Sequence, residues 1–145
     1  MRPAANNGFT LLELLVVITL LALTSTLVGI NLGGDRANLE SIARTLVTDL
    51  RYVRSQAMVG NTDTALVVDL DNGAYYSGAA RIERPLPASV TVELTVDVRD
   101  TDGKRGSIVF YPDGSSSGGK VRLSRNGRSL QITTAWLNGY VTIEE

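Results

Sequence analysis

Gly8-Phe9-Thr10-Leu11-Leu12-Glu13-Leu14-Leu15-Val16-Val17 opens an apolar run that continues to Ile30 and carries a single acid. From Phe9 to Ile30 there are 22 residues without Pro, Lys or Arg, and at about 1.5 Å per residue a helix of that length reaches about 33 Å, enough to cross a bilayer. A charged carboxylate near the centre of such a helix costs about 2.5–3.5 kcal/mol on insertion scales, so Glu13 marks a function and a partner. The competing reading is a cleavable secretory signal, whose apolar core runs only about 7–15 residues before an Ala-x-Ala-like site. The longer run here, the acid near its start and the indifferent site around Ala22 and Ser25 all disfavour that reading.

A short polar leader ending in Gly8, followed by Phe9-Thr10-Leu11-Leu12-Glu13 and an apolar helix, resembles the type IV pilin and pseudopilin class of prepilins. The resemblance implies cleavage after Gly8 by a prepilin peptidase and N-methylation of the new terminal residue, Phe9. Glu13 then stands at the fifth mature position, where the class carries a Glu that pairs with the terminal amine of a neighbouring subunit during filament assembly. The class also implies a single-pass anchor in the bacterial inner membrane, a head in the periplasm and extraction through an inner-membrane assembly platform. Arg2, the only charged side chain in residues 1–8, suits a cytoplasmic flank. Glycine at position 8 suits a peptidase cleft that approaches the backbone closely.

With 145 residues, the chain has room for one anchor and one head of ordinary domain size. Lys plus Arg number 14 and Asp plus Glu 15, a net charge of −1, so no basic excess announces nucleic acid as a partner. The absence of cysteine excludes disulfides and thiolate metal sites, so the head stands on its core alone. The absence of histidine removes the commonest general base and metal ligand. With no catalytic constellation elsewhere, the expectation is a structural subunit, not an enzyme, holding no cofactor and no metal.

The expected organisation is a leader over 1–8, a membrane and filament-core helix over 9–30, and a head over 31–145. Gly33 and Gly34 weaken the helix by about 1 kcal/mol each, and a hinge between rod and head is expected there. Leu39, Ile42, Leu46, Leu50, Val53 and Ala57 then recur at three- and four-residue steps, which predicts an amphipathic helix over 35–60 with one face on the head's sheet. From residue 64 the period becomes two. Leu66, Val68 and Leu70 predict one strand, and Val90 through Val98 alternate with polar residues as another. Further strands are expected at Ser107–Tyr111, Lys120–Ser124, Ser129–Thr134 and Tyr140–Glu144, separated by Asp-Gly and Asn-Gly turns. The stretch Ala74–Ala88, with Pro85 and Pro87, reads as an irregular or edge-strand connection. One long N-terminal helix on antiparallel sheets is an α+β, pilin-like architecture.

Val109 through Leu123, and the helix end Leu46–Asn61, resemble the head of the pseudopilin H and FimT family. That resemblance implies a minor pseudopilin near the tip of the type II secretion pseudopilus, working with major and minor pseudopilins. The alternative is a FimT-like minor pilin serving pili or DNA uptake. Lys120, Arg122, Arg125 and Arg128 form a small basic cluster, but Glu144-Glu145 closes the chain with acid where a DNA-binding member is expected to carry arginine. Nucleic acid is therefore not an expected partner. The tract Asp113-Gly114-Ser115-Ser116-Ser117-Gly118-Gly119 lacks the Gly-Lys-Ser/Thr ending of a phosphate loop and supplies one acid only, too little for calcium. It reads as a flexible hairpin connection, with contact to a partner subunit as the sharper alternative. Trp136 and Tyr75-Tyr76 are open between core and interface.

Overall fold

The computed structural model describes residues 10–99 and 103–145, with side chains at 22–37 and 98–99 excepted. Among the described residues, helix α1 spans Leu11–Gly60 and is followed by nine strands. The helix begins where the Thr10 hydroxyl accepts the Glu13 backbone N–H at 3.2 Å, satisfying one of the donors a helix start leaves open. It ends where Asn61 turns left-handed with φ 49° and the Thr62 N–H returns to the Ala57 carbonyl at 3.2 Å, a Schellman-type closure. Gly33 and Gly34 lie within the assigned helix. The chain divides into two compact units, Met1–Asp35 and Arg36–Glu145.

Within the second unit, a five-stranded sheet has the order β3-β2-β1-β6-β5 and a four-stranded sheet the order β4-β7-β8-β9. Its strands are β1 (Thr64–Asp69), β2 (Ala74–Ser77), β3 (Ile82–Pro85), β4 (Thr91–Thr95), β5 (Val98–Arg99), β6 (Arg105–Phe110), β7 (Gly119–Arg125), β8 (Arg128–Thr134) and β9 (Val141–Glu144). All neighbouring strands pair antiparallel. Fold class follows as expected: α+β, a long helix with antiparallel sheets. The buried stripe of α1, Leu39, Ala43, Leu46, Leu50, Val53 and Ala57, joins Leu66 and Val68, Ile108 and Phe110, and Val121, Leu123 and Ile132 in one core. Burying each large member contributes about 1.5–3 kcal/mol, which is how a head without disulfides holds together. Ile42 packs at the margin of this core, while Ala43 and Val47 lie inside it.

Two expectations are corrected and one open alternative is decided. The alternating stretch from Val90 to Val98 is not one strand: β4 pairs with β7, and β5 pairs with β6 in the other sheet. Burial alternates through the change of sheet, with Val90, Leu94 and Val96 all inward, so the period reports the core face and not the hydrogen-bonding partner. For the stretch Ala74–Ala88, left open between irregular and edge strand, the edge strand holds. Its first part forms the β2–β3 hairpin in register Tyr75↔Arg84 and Tyr76↔Glu83, with β3 at the sheet edge and Pro85 at its end, where a missing N–H is tolerated. Finally, Asp113–Gly119 is no hairpin loop, because the strands it joins, β6 and β7, belong to different sheets.

Two buried acids fasten this frame. Asp49, on the core side of α1, accepts the Tyr75 hydroxyl at 2.8 Å and Arg84 Nε at 2.9 Å, tying the helix to the edge hairpin. Desolvation first, then the hydrogen bond to Asp49, pushes the Tyr75 phenol up, while the same carboxylate raises Arg84. Asp69 closes the β1–β2 turn by accepting the Asp71 and Asn72 backbone N–H groups and Arg105 Nε. The Asn72 N–H is the first cause holding its carboxyl below the usual range. A charge taken out of water needs such partners.

Candidate functional site

At the start of α1, every described residue from Thr10 to Leu21 is exposed. Leu11, Leu12, Leu14 and Leu15 present apolar surface around the helix, and Glu13 is the acid of the first turn. A carboxylate there sits favourably at the positive end of the helix dipole, but the leucines beside it have no cover within the described residues. Gly8 and Phe9 lie outside the described residues. Among the described residues, no helix is long and apolar enough to cross a membrane.

In the head, the Asp113–Gly119 loop is bonded along its length. Tyr111 N–H donates to the Ser115 carbonyl at 3.0 Å, and Gly114 N–H to the Tyr111 carbonyl at 2.9 Å. Asp113 is held below the usual carboxylate range by the Ser115 hydroxyl first and the Ser115 backbone N–H second. Ser116 donates its N–H to the Trp136 carbonyl and its hydroxyl to the Ala135 carbonyl, so two loops distant in sequence form one layer. Ser117, Gly118 and Gly119 then line an open groove of about 390 Å³ with Val96, Lys120 and Trp136. The alternation of small residues with few acids is what allows this close packing, and it offers no cation cage. Among the described residues, no group of three His, Cys, Asp or Glu side chains is placed to hold a metal.

Arg54 fixes both loops to the helix. Its Nε donates to the Gly114 carbonyl at 2.9 Å, and its guanidinium lies 5.7 Å from the Tyr140 ring centroid. Gly139 has φ +62°, and a Cβ built on it overlaps the Gly114 carbonyl oxygen and stands 2.8 Å from Arg54 Nε. Glycine is therefore required on steric and torsional grounds together. The undecided aromatics separate: Tyr75 is core, Tyr76 is exposed, and Trp136 is 68 % exposed. In the basic cluster, Arg122 faces Glu93 at 3.8 Å and Gln131 at 3.1 Å on the outer face of the four-stranded sheet.

The type II transport protein GspH profile matches residues 43–138, well over half of the chain. The chain belongs to the GspH family. A second profile, the prokaryotic N-terminal methylation motif, matches residues 3–29. The type II secretion system protein H of Xanthomonas campestris pv. campestris is 30 % identical over 139 residues, covering 93 % of this chain and 81 % of that protein. Among solved structures, the minor pseudopilin EpsH from the type 2 secretion system of Vibrio cholerae aligns with a TM-score of 0.57 at 10 % identity, covering 73 % of this chain and 95 % of that one. The type IV minor pilin FimU of Pseudomonas aeruginosa aligns with a TM-score of 0.55 at 16 % identity, covering 74 % and 93 %. At such identities the two likenesses establish the pilin-like fold of this GspH chain and do not choose between secretion and pili. Sequence kinship makes that choice, for secretion.

Proposed function

We propose that this GspH-family chain is a minor pseudopilin, a non-enzymatic subunit that joins other pseudopilins in the periplasmic pseudopilus of a type II secretion system. One observation carries the reading: a methylation motif over residues 3–29 and a GspH match over 43–138 stand on the same chain. In this account a prepilin peptidase cleaves after Gly8 and Phe9 is N-methylated. The run 9–30 anchors the chain once in the inner membrane, with residues 31–145 as periplasmic head, until the assembly platform draws it into the filament near the tip. The uncovered leucines at the start of α1 support this, since lipid first and neighbouring helices later supply their cover.

Glu13 in this account bonds the Phe9 amino group of a neighbouring subunit and sets the axial register. Both groups are poorly hydrated at that depth, and each makes the other's burial tolerable. In the head, the Asp113–Gly119 loop serves as a partner contact. The test is a strain lacking the chain. Secretion substrates are expected to accumulate in the periplasm and to be exported again when the full-length chain is restored. Loss of pilus function or DNA uptake with export intact would instead support the FimT-like role.

A further inference from the structure

The arginines of the head differ in how their charge is met. Arg84 pairs with Asp49, Arg105 with Asp69, Arg44 with Glu40 and Arg122 with Glu93. Arg51 and Arg54 are different. Arg51 donates to the Val141 carbonyl at 3.0 Å and Arg54 to the Gly114 carbonyl at 2.9 Å, and among the described residues neither meets a carboxylate. Asp113, the acid of the adjoining loop, is engaged by Ser115 instead.

Arg51, Arg54 and Met58 follow one another at i, i+3 and i+7, one face of α1. Apolar side chains lie beside Arg54. Met58 Sδ stands 3.3 Å from a Cβ built on Gly114, Tyr140 lies beneath Arg54, and Leu137 belongs to the same Ala135–Tyr140 turn, closed by the Ala135 N–H to the Tyr140 carbonyl. Leu137 and Tyr140 are 69 % and 65 % exposed. Two cations without carboxylates at the edge of exposed apolar side chains match, in charge and polarity, a face that presents acids beside apolar residues. Backbone bonds already hold both arginines, so little side-chain freedom is lost on docking.

We propose that Arg51, Arg54, Met58, Leu137 and Tyr140 form a docking surface for an acidic, apolar-edged face on the head of a different pseudopilin. This rests on the assembly role proposed above and adds which face of the head takes the partner and what chemistry the partner presents. It is distinct from the groove at Trp136.

The chain has no cysteine, so single cysteines can be placed in the full-length protein without removing others. Met58→Cys and Leu137→Cys are compared with Gln131→Cys, on the outer face of the four-stranded sheet, in membranes containing the tagged pseudopilins of the same system. A short thiol-anchored photo-cross-linker is the probe. Positions 58 and 137 are expected to link to one tagged pseudopilin with about tenfold or more the yield at 131, and Arg51→Glu is expected to lower the yield at 137 about tenfold. Equal yields at 131 and 137, links to a second copy of this chain or to a protein outside the set, or a yield unmoved by Arg51→Glu would overturn the surface. Secretion measured in the same strains separates the two claims. Export restored without the expected links defeats the surface alone, whereas export that never depends on the chain defeats the assembly role.

Discussion

Glu13→Ala is expected to abolish export while leaving the amount of chain in the membrane and the fold of its head unchanged. The substitution leaves the Thr10 cap intact, since Thr10 receives the backbone N–H of residue 13 and not its side chain. It removes the carboxylate that, in this account, meets the Phe9 amine of the next subunit. Stranding one member of a poorly solvated charge pair costs about 3–5 kcal/mol, and at 1.4 kcal/mol per factor of ten this lowers the assembly equilibrium at least about a hundredfold. The measurement is pseudopilus incorporation by membrane shearing or cross-linking, alongside export. Wild-type incorporation in the Ala variant would remove Glu13 from the mechanism.

The second large effect lies in the head. Gly139→Ala is expected to destabilise it by about 3 kcal/mol, from about 1–2 kcal/mol for an alanine at left-handed φ and about 1–3 kcal/mol for overpacking. The steric part arises because the new methyl meets the Gly114 carbonyl and Arg54 Nε, the two groups whose bond joins loop to helix. Gly127→Ala is the control: φ is +75° there too, but nothing lies within 4 Å of the added Cβ. It carries the torsional cost alone, about 1–2 kcal/mol. Denaturant unfolding of the two variants measures the difference, and equal losses would mean that the Gly114–Arg54–Gly139 contact is not a constraint.

Much of this was legible in the chain. Leu39 to Ala57 announced a helix face through simple periodicity, and the Asn-Gly and Asp-Gly turns marked the strand ends, because both signals are local. What escaped was non-local. Asp49 falls three residues after Leu46 and four before Val53, on the buried face, yet nothing near it in sequence reveals Tyr75 and Arg84 as its partners. Those arrive from the β2–β3 hairpin, in a stretch whose prolines left irregular structure and an edge strand both open. The break between β4 and β5 was hidden for a related reason: Val96 continues the inward alternation after the backbone has left one sheet for the other. The Gly-Ser tract suggested flexibility by composition, but its small residues serve close packing against Ala135, Trp136 and Arg54.

The N-terminal reading was more direct. The methylation motif matched over residues 3–29 is a short, contiguous stretch, so it is legible without tertiary information. The surface proposed for the head is not legible in that way, since Arg54 and Tyr140 meet only through the fold.

The most direct test of the account is the N-terminus of the full-length protein recovered from membranes of a strain with an intact secretion system. Intact mass and terminal sequencing are predicted to give a chain that begins at N-methylated Phe9. A chain that still begins at Met1, or one cut after Ala22, would contradict it.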